Sequence, residues 1–349
     1  MLRRPPARPT VGLCGAGMIA AAHALAAQML DLKVGPVASR TTQRADEHIA
    51  RFGGRRVSYD ELPDDAEVVI VCTPPSQHAR DTLRMLDAGV AVLVEKPLTT
   101  TLAEADALVS HPASARIAYA EQLAYAPVLR EMFARVGSLG PLQHIEVRAL
   151  QARPDWAGGF FEPAWGGGVL FDLGAHPLAV ALLLAAPARP VGVRATLRMP
   201  DDLDTDDHGE LFVRFETGLV ARVEASWRHG PGPIWDAQAA GASGVLRADI
   251  LPAPSLEHDG EPVALAPIAA ASRAGAVPMI EQMGYLGQLR AFVADFAAGR
   301  TPFMDAAFGR LVLDLTCAAY TSAAHDGVEV DVPFRGRRDR TPWQLWRKP

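Results

Sequence analysis

The 349-residue chain is 49% hydrophobic and 21% charged, with a formal net charge of −6. That length favours two domains with sizeable cores, and the charge gives no ground for a nucleic-acid partner. Three widely spaced cysteines, Cys14, Cys72 and Cys317, fit neither a disulfide framework nor a metal set and read as small core residues in a reducing compartment.

The chain opens on "MLRRPPARPT", and the following "VGLCGAGMIAAAHALAAQML" holds no Asp, Glu, Lys or Arg. A basic start before an apolar run matches an export signal, and Arg3-Arg4 hints at a twin-arginine one. The placing of the glycines favours another reading. Val11 to Cys14 reads as a buried strand, Gly15-Ala16-Gly17-Met18-Ile19-Ala20 as a tight turn, Met18 to Leu30 as an Ala-rich helix, and Val34 to Ala38 as a second strand. Such a unit cradles a dinucleotide pyrophosphate: the first glycine permits the turn, the second lets the backbone approach, and a small third residue, here Ala20, lets the helix lie on the sheet. On this reading residues 11–30 form a phosphate cradle and the protein stays inside the cell. Further on, the apolar "PLAVALLLAAPA" meets Pro187 after about three helical turns, too soon to span a bilayer.

Strand-like runs from Glu67 to Cys72, Val90 to Val94 and Arg116 to Ala120 alternate with helical "TQRADEHIARFG", "SQHARDTLRMLDAG" and "TLAEADALVSH". Alternation of this kind predicts a parallel sheet covered by helices, with ligands at the carboxyl ends of its strands. After the second strand stand Ser39-Arg40-Thr41, with Arg44 one helical turn on. An NAD site usually places Asp or Glu here for the ribose 2′-hydroxyl, whereas a hydroxyl and a guanidinium suit a 2′-phosphate. NADP(H) is therefore expected in preference to NAD(H); the alternative is that Arg40 is a solvated residue or stacks on adenine. The next strand runs into "CTPPSQH", where Pro74 and Pro75 fix a turn, Thr73 ends the strand, and Ser76 offers an N-cap. The strand after that ends in "VEKPLTT", which sets Glu95 and Lys96 at the carboxyl edge, before a Pro97 able to adopt a cis bond.

In the second half, "GGGVLFDLGAHPLAVALLLAA" spaces Asp172 and His176 one helical turn apart. Pro177 would kink an established helix, so the helix is expected to start at about His176, with Asp172 in the turn leading in. A histidine beside an apolar helix is otherwise a satisfied core residue. Strand-like runs follow at Gln143 to Leu150, Gly192 to Leu197, Gly209 to Phe215, Leu219 to Trp227, Trp235 to Ala240 and Val245 to Ile250, with "ETGLV" as a hairpin. Then "EQMGYLGQLRAFVADFAAG" and "DAAFGRLVLDLTCAAYTSAAHDG" read as helices. The tail "VPFRGRRDRTPWQLWRKP" reads as an arm on its own domain or on a neighbouring subunit, or as a loose terminus.

Through "GLCGAGMIA", "VCTPPSQH", "VEKP" and "GGGVLFDLGAH", in order from about residue 10 to about residue 330, the chain resembles the Gfo/Idh/MocA family, named for glucose–fructose oxidoreductase and inositol dehydrogenase. The resemblance implies an α/β protein: a Rossmann dinucleotide-binding domain over residues 1–122, then an α/β domain over 123–349 with a large open, mostly antiparallel sheet and a tail from about 333. It implies substrate held between the two, and hydride transfer between nicotinamide and a hydroxyl or carbonyl carbon of a sugar, cyclitol or related polyol. It also suggests a homodimer or homotetramer through the open sheet.

Carried onto this chain, the cofactor-binding residues are Gly15, Gly17, Met18, Ile19, Ser39, Arg40, Arg44, Thr73, Pro74, His78, Glu95, Lys96, Pro97 and Gln122. Gln122 stands where the family often has Asn near the nicotinamide ribose, and its extra methylene alters that contact. For catalysis, an imidazole suits proton transfer near neutral pH, and His176 is assigned as the general acid/base. Lys96 would polarise the reacting oxygen or relay the proton, and Asp172 would accept a hydrogen bond from substrate or orient the other two. Trp156, Trp165 and Trp235 are candidates for the substrate wall alongside Lys96, Asp172 and His176, as are Trp227 and His229, with simple packing as the alternative for each aromatic residue. Rival functions are reduction of non-sugar carbonyls or oxidation of trans-dihydrodiols, and a non-catalytic NADP(H)-binding regulator. No Cys/His cluster argues for a metal.

Overall fold

The computed structural model describes residues 8–268 and 278–347, apart from the side chains of residues 156, 157 and 278. The chain divides into two compact units, one of Met1–Thr99, Glu104–Ala126 and Ile268–Arg310, the other of Thr100–Ala103, Pro127–Pro267 and Leu311–Pro349.

In the first unit β1 (Val11–Cys14), β2 (Val34–Ala38), β3 (Arg55–Arg56), β4 (Val68–Val71), β5 (Ala91–Glu95) and β6 (Ile117–Ala120) form a parallel sheet in the order β3-β2-β1-β4-β5-β6. Every residue of β1, β2, β4, β5 and β6 is buried, as expected of strands covered on both faces, and this is why they read as unbroken apolar runs. The crossovers contain α1 (Met18–Met29), α2 (Thr42–Phe52), α3 (Pro75–Asp87) and α4 (Leu102–Ser110). The strand order reverses at β1, between β2 and β4, so the carboxyl ends of these strands form the crevice where ligands of such sheets bind. Residues 11–30 are thus the central strand and first helix of this unit.

The second unit holds α5 (Pro127–Arg135), β7 (Leu142–Leu150), α6 (Val169–Asp172), α7 (Ala175–Ala185), β8 (Pro190–Arg198), β9 (His208–Phe215), β10 (Val220–Ser226), β11 (Ile234–Gly241), β12 (Gly244–Leu251), β13 (Ser255–His258) and β14 (Glu261–Pro262). Later in the chain come α8 (Pro278–Gln282), α9 (Tyr285–Ala298), α10 (Ala306–Ala324), β15 (Val330–Asp331) and α11 (Pro342–Arg347). Nine strands make one sheet in the order β14-β13-β12-β11-β7-β10-β9-β8-β15, antiparallel except for the parallel pair β7 and β10. One pleat face carries the buried residues, such as Ile145, Val147, Ala149, Val223 and Ala237, against which α7 packs. The opposite face carries Arg222, which reaches Glu210 at 2.7 Å, Glu224 at 2.8 Å and also Glu146, beside partly exposed Phe212 and Val220.

Two local expectations are corrected, and of the alternatives open for the tail one is found. The helix after "CTPP" starts at Pro75, with Pro74 as its N-cap, so Ser76 lies inside the first turn. Proline has no N–H to leave unsatisfied and its φ suits that position. The stretch from Glu281 is two helices, broken at Gly284. There φ is +90°, and a Cβ would stand 2.0 Å from the Gln122 carbonyl oxygen, so only glycine fits. The tail is an arm on its own unit: the Trp343 backbone N–H donates to the Gly166 carbonyl, its indole N–H to the Asp204 carbonyl, both at 2.8 Å, and Trp346 meets the Tyr320 ring edge-on.

Candidate functional site

Three turns follow parallel neighbours β1, β4 and β5, whose registers align Cys14 with Val71 and Val71 with Val94. Gly15, Thr73 and Lys96 therefore line one edge of the first unit's sheet. Gly15 takes φ +112°, and a Cβ on it would lie 2.6 Å from the Cys72 carbonyl oxygen; at Gly17 a Cβ would meet nothing within 4 Å. Gly17 is the N-cap of α1 and has no side chain to cap it, and the first turn carries no acidic residue. The free N–H groups and the positive end of the helix dipole suit a phosphate. Met18 is 58% exposed at this turn, and Ala20 is fully buried, as packing onto the sheet requires.

At the end of β2 the side chain of Ser39 is half-buried and those of Arg40 and Arg44 are exposed. The Ser39 hydroxyl accepts from the Thr41 N–H at 3.3 Å, and the first turn of α2 holds no acidic residue. This donor set fits a phosphorylated ribose. The glycine turn and the bare helix end fit the pyrophosphate of either dinucleotide.

The polar residues of the other two turns are largely committed to one another. Thr73 Oγ1 donates to Asp81 at 2.9 Å. His78 is buried with Nδ1 2.8 Å from the Pro97 carbonyl and Nε2 2.7 Å from the Thr73 carbonyl. An imidazole donates to one of these when neutral and to both when protonated. Burial draws its pKa below the ordinary value, against the two carbonyls and the Glu95 and Asp81 carboxylates. Glu95 is also buried: Oε1 lies 2.8 Å from His23 Nε2, and Oε2 accepts from the Lys96 N–H at 3.0 Å. Burial alone would raise its pKa; the His23 hydrogen bond and the charges of His23, Lys96 and His78 outweigh that and hold it below the ordinary value. Lys96 itself is half-buried, followed by a cis bond to Pro97. Gln122 is buried where the Gln288 carboxamide faces the backbone N–H groups of Glu121 and Gln122 at 3.1 Å.

In the second unit Asp172 ends α6 and His176 is the second residue of α7, both nearly fully buried. The stretches Pro163–Asp172 and Ala175–Ala185 are bent by 48°, so Asp172 and His176 sit on successive helical segments and not on one straight turn. Pro177 is the third residue of α7, where an N–H has no intrahelical partner to lose.

Asp206 fixes the entry to these helices, a role nothing in its local sequence signals. Its carboxylate accepts from the Gly168 N–H at 3.0 Å, the Leu170 N–H at 2.8 Å and the Tyr320 hydroxyl at 2.5 Å, and its carbonyl accepts from the Val169 N–H. A Cβ at Gly168 would stand 2.2 Å from the Asp206 carbonyl oxygen, and one at Gly167 would stand 2.7 Å from the Tyr320 hydroxyl. The glycine run thus makes room for a capping carboxylate and its phenol partner. Burial raises the Asp206 pKa, opposed by these hydrogen bonds.

Of the aromatic candidates, Trp235 is buried with its ring 5.5 Å from that of His176. Trp227 is buried edge-on to Phe161, Trp165 is half-buried against Phe160, and His229 is half-buried. The Trp156 side chain lies outside the described residues.

Comparison with known proteins gives two family matches. Residues 10–120 match the oxidoreductase family with an NAD-binding Rossmann fold, and residues 129–247 match the GFO/IDH/MocA C-terminal domain. The chain is 32% identical over 210 residues to the uncharacterized oxidoreductase ORF334 of Rhizobium meliloti, a match spanning 57% of this chain and 63% of that protein. It is 32% identical over 234 residues to the dTDP-3,4-didehydro-2,6-dideoxy-alpha-D-glucose 3-reductase of Actinomadura kijaniata, covering 63% of this chain and 68% of that protein. Among solved structures, GenD2 from gentamicin A biosynthesis, in complex with NAD, superposes with a TM-score of 0.81 at 25% identity, over 95% of this chain and 99% of GenD2.

Proposed function

The chain belongs to the Gfo/Idh/MocA family of oxidoreductases, and from that premise we propose an NADP-dependent enzyme that moves a hydride to or from a hydroxyl or carbonyl carbon of a sugar, cyclitol or related polyol. The observation that carries the reading is the alignment, along one sheet edge, of a glycine turn before a bare helix N-terminus and a lysine turn two strands away. Similarity to a dTDP-sugar reductase supports the substrate class, and similarity to NAD-bound GenD2 supports the nicotinamide cofactor. Preference for NADP rests on Ser39 and Arg40, and on the acid-free start of α2.

Gly15, Gly17, Met18 and Ile19 would hold the pyrophosphate, and Ser39, Arg40 and Arg44 the 2′-phosphate. Thr73, Pro74, Pro97 and Gln122 would shape the remaining wall. When bound, the nicotinamide supplies or accepts the hydride. His176 takes the hydroxyl proton during oxidation and returns it during reduction. The Lys96 ammonium stabilises negative charge developing on the same oxygen. Asp172 accepts a hydrogen bond from a neighbouring hydroxyl and so orients the ring. Trp235, behind His176, and Trp165 supply apolar surface to the sugar.

The test is fluorescence titration with NADPH and NADH, then a panel of sugars, nucleotide-linked sugars and cyclitols followed at the nicotinamide absorbance. Tighter NADPH binding and turnover within the panel are expected; tighter NADH binding would overturn the reading of Ser39 and Arg40.

The open face of the nine-stranded sheet, with Phe212 and Val220, is the surface through which the protein forms a dimer or tetramer in this proposal. Light scattering of the Phe212→Asp variant should then report a smaller species than the parent.

A further inference from the structure

Each neighbour of Lys96 is backed by a buried histidine. On one side the Glu95 carboxylate is bonded to His23 Nε2 at 2.8 Å and accepts the Lys96 backbone N–H at 3.0 Å. On the other, the Pro97 carbonyl lies 2.8 Å from His78 Nδ1, while His78 Nε2 is 2.7 Å from the Thr73 carbonyl. His23 belongs to α1 and His78 to α3, so the turn is tied to two different helices. Both rings are at most 1% exposed, and their bonded ring nitrogens face protein groups.

Lysine usage sharpens the point. Of 34 basic Lys and Arg residues only Lys33, Lys96 and Lys348 are lysines, so at this turn the chain departs from its habit of using arginine. An ammonium on a flexible four-carbon stem is a movable point charge, and fixing its backbone limits where it can go.

We propose that His23 and His78 are positioning residues that clamp the backbone on both flanks of Lys96 and so deliver its ammonium to one place at the sheet edge. The kinetic consequence rests on the role given to Lys96 above; the clamp itself does not.

The small number of lysines makes the clamp observable without turnover. Reductive methylation of the full-length protein with 13C-formaldehyde labels three lysines and the terminal amine, and a Lys96→Arg variant identifies the Lys96 resonance. In His78→Phe and in His23→Leu, with circular dichroism unchanged, that resonance should move toward the position of free dimethyl-lysine. In each variant kcat should fall about tenfold or more while the NADPH dissociation constant stays within about threefold. His78→Gln, which keeps N–H donors, should recover most of the loss. A Lys96 resonance unmoved in both variants would overturn the clamp. A displaced resonance with full kcat would leave the clamp standing and overturn the role of Lys96. Should the variants fail to fold, the wild type decides: bonded ring N–H protons of His23 and His78 should exchange with solvent over hours, and exchange within the dead time of the spectrum would refute the proposal.

Discussion

The Trp235 indole lies 5.5 Å from the His176 imidazole between ring centroids, with the planes tilted by 35°. A rigid aromatic wall therefore limits how the proposed acid/base can rotate. Trp235→Phe keeps that wall and should hold kcat within about threefold. Trp235→Ala should lower kcat at least tenfold and destabilise the fold by about 3–5 kcal/mol, as loss of a large buried ring does. Steady-state kinetics beside urea denaturation would separate the two effects.

The Asp206 cap makes a second prediction, read by stability. Gly168→Ala drives a methyl into the Asp206 backbone, which should cost roughly 1–3 kcal/mol. Tyr320→Phe removes the hydroxyl that donates to the carboxylate and should cost about 1–3 kcal/mol for a buried acceptor left short of a partner. Wild-type melting in either variant would show that the glycine run is not held in this way.

Two buried carboxylates should give opposite pH slopes. The folded-state pKa of Glu95 is depressed, so its contribution is present above the unfolded carboxyl value and is lost as pH falls through the folded one. Glu95→Gln should therefore be most destabilising near neutrality and progressively less so toward acid. The Asp206 pKa is raised, so its stabilisation is complete below the unfolded value and declines as pH rises through the folded one. Asp206→Asn should cost most in acid and less near neutrality. Urea titrations between about pH 4 and pH 7 would show parallel curves if either assignment of sign were wrong.

Arg40→Asp replaces a phosphate partner with the carboxylate that reads a free ribose hydroxyl. NADPH affinity should drop at least tenfold and NADH affinity should hold or improve, as measured by fluorescence titration. Equal loss for both cofactors would place Arg40 outside the ribose site.

Much of this was legible because β1, β2, β4, β5 and β6 of the first sheet are buried on both faces and spell apolar runs, and because residues Ile145 to Ala149 alternate; the exposed two-residue β3, Arg55–Arg56, carries no such mark. Features that depend on a remote partner were not legible. The break at Gly284 depends on the Gln122 carbonyl, some 160 residues earlier, and a glycine inside a helical pattern carries no mark of it. Nothing in "DTDDHGE" tells Asp206 from its acidic neighbours, yet the fold buries it against Gly168 and Tyr320. His23 looked like one more residue of an Ala-rich helix until the sheet brought Glu95 beneath it. Nothing in "VEKPLTT" shows that its glutamate is buried against a histidine 72 residues earlier.

The most direct test of the account is hydride transfer itself. With NADPH deuterated at nicotinamide C4 and the keto form of the best substrate from the panel, product from the wild type should carry deuterium at the carbon reduced from carbonyl to alcohol. Lys96→Met and His176→Phe should each turn over about 10²–10⁴ times more slowly while binding NADPH within about threefold of the wild type. Near wild-type turnover in both variants, or transfer of no label to the keto form of any sugar, nucleotide-linked sugar or cyclitol, would contradict it.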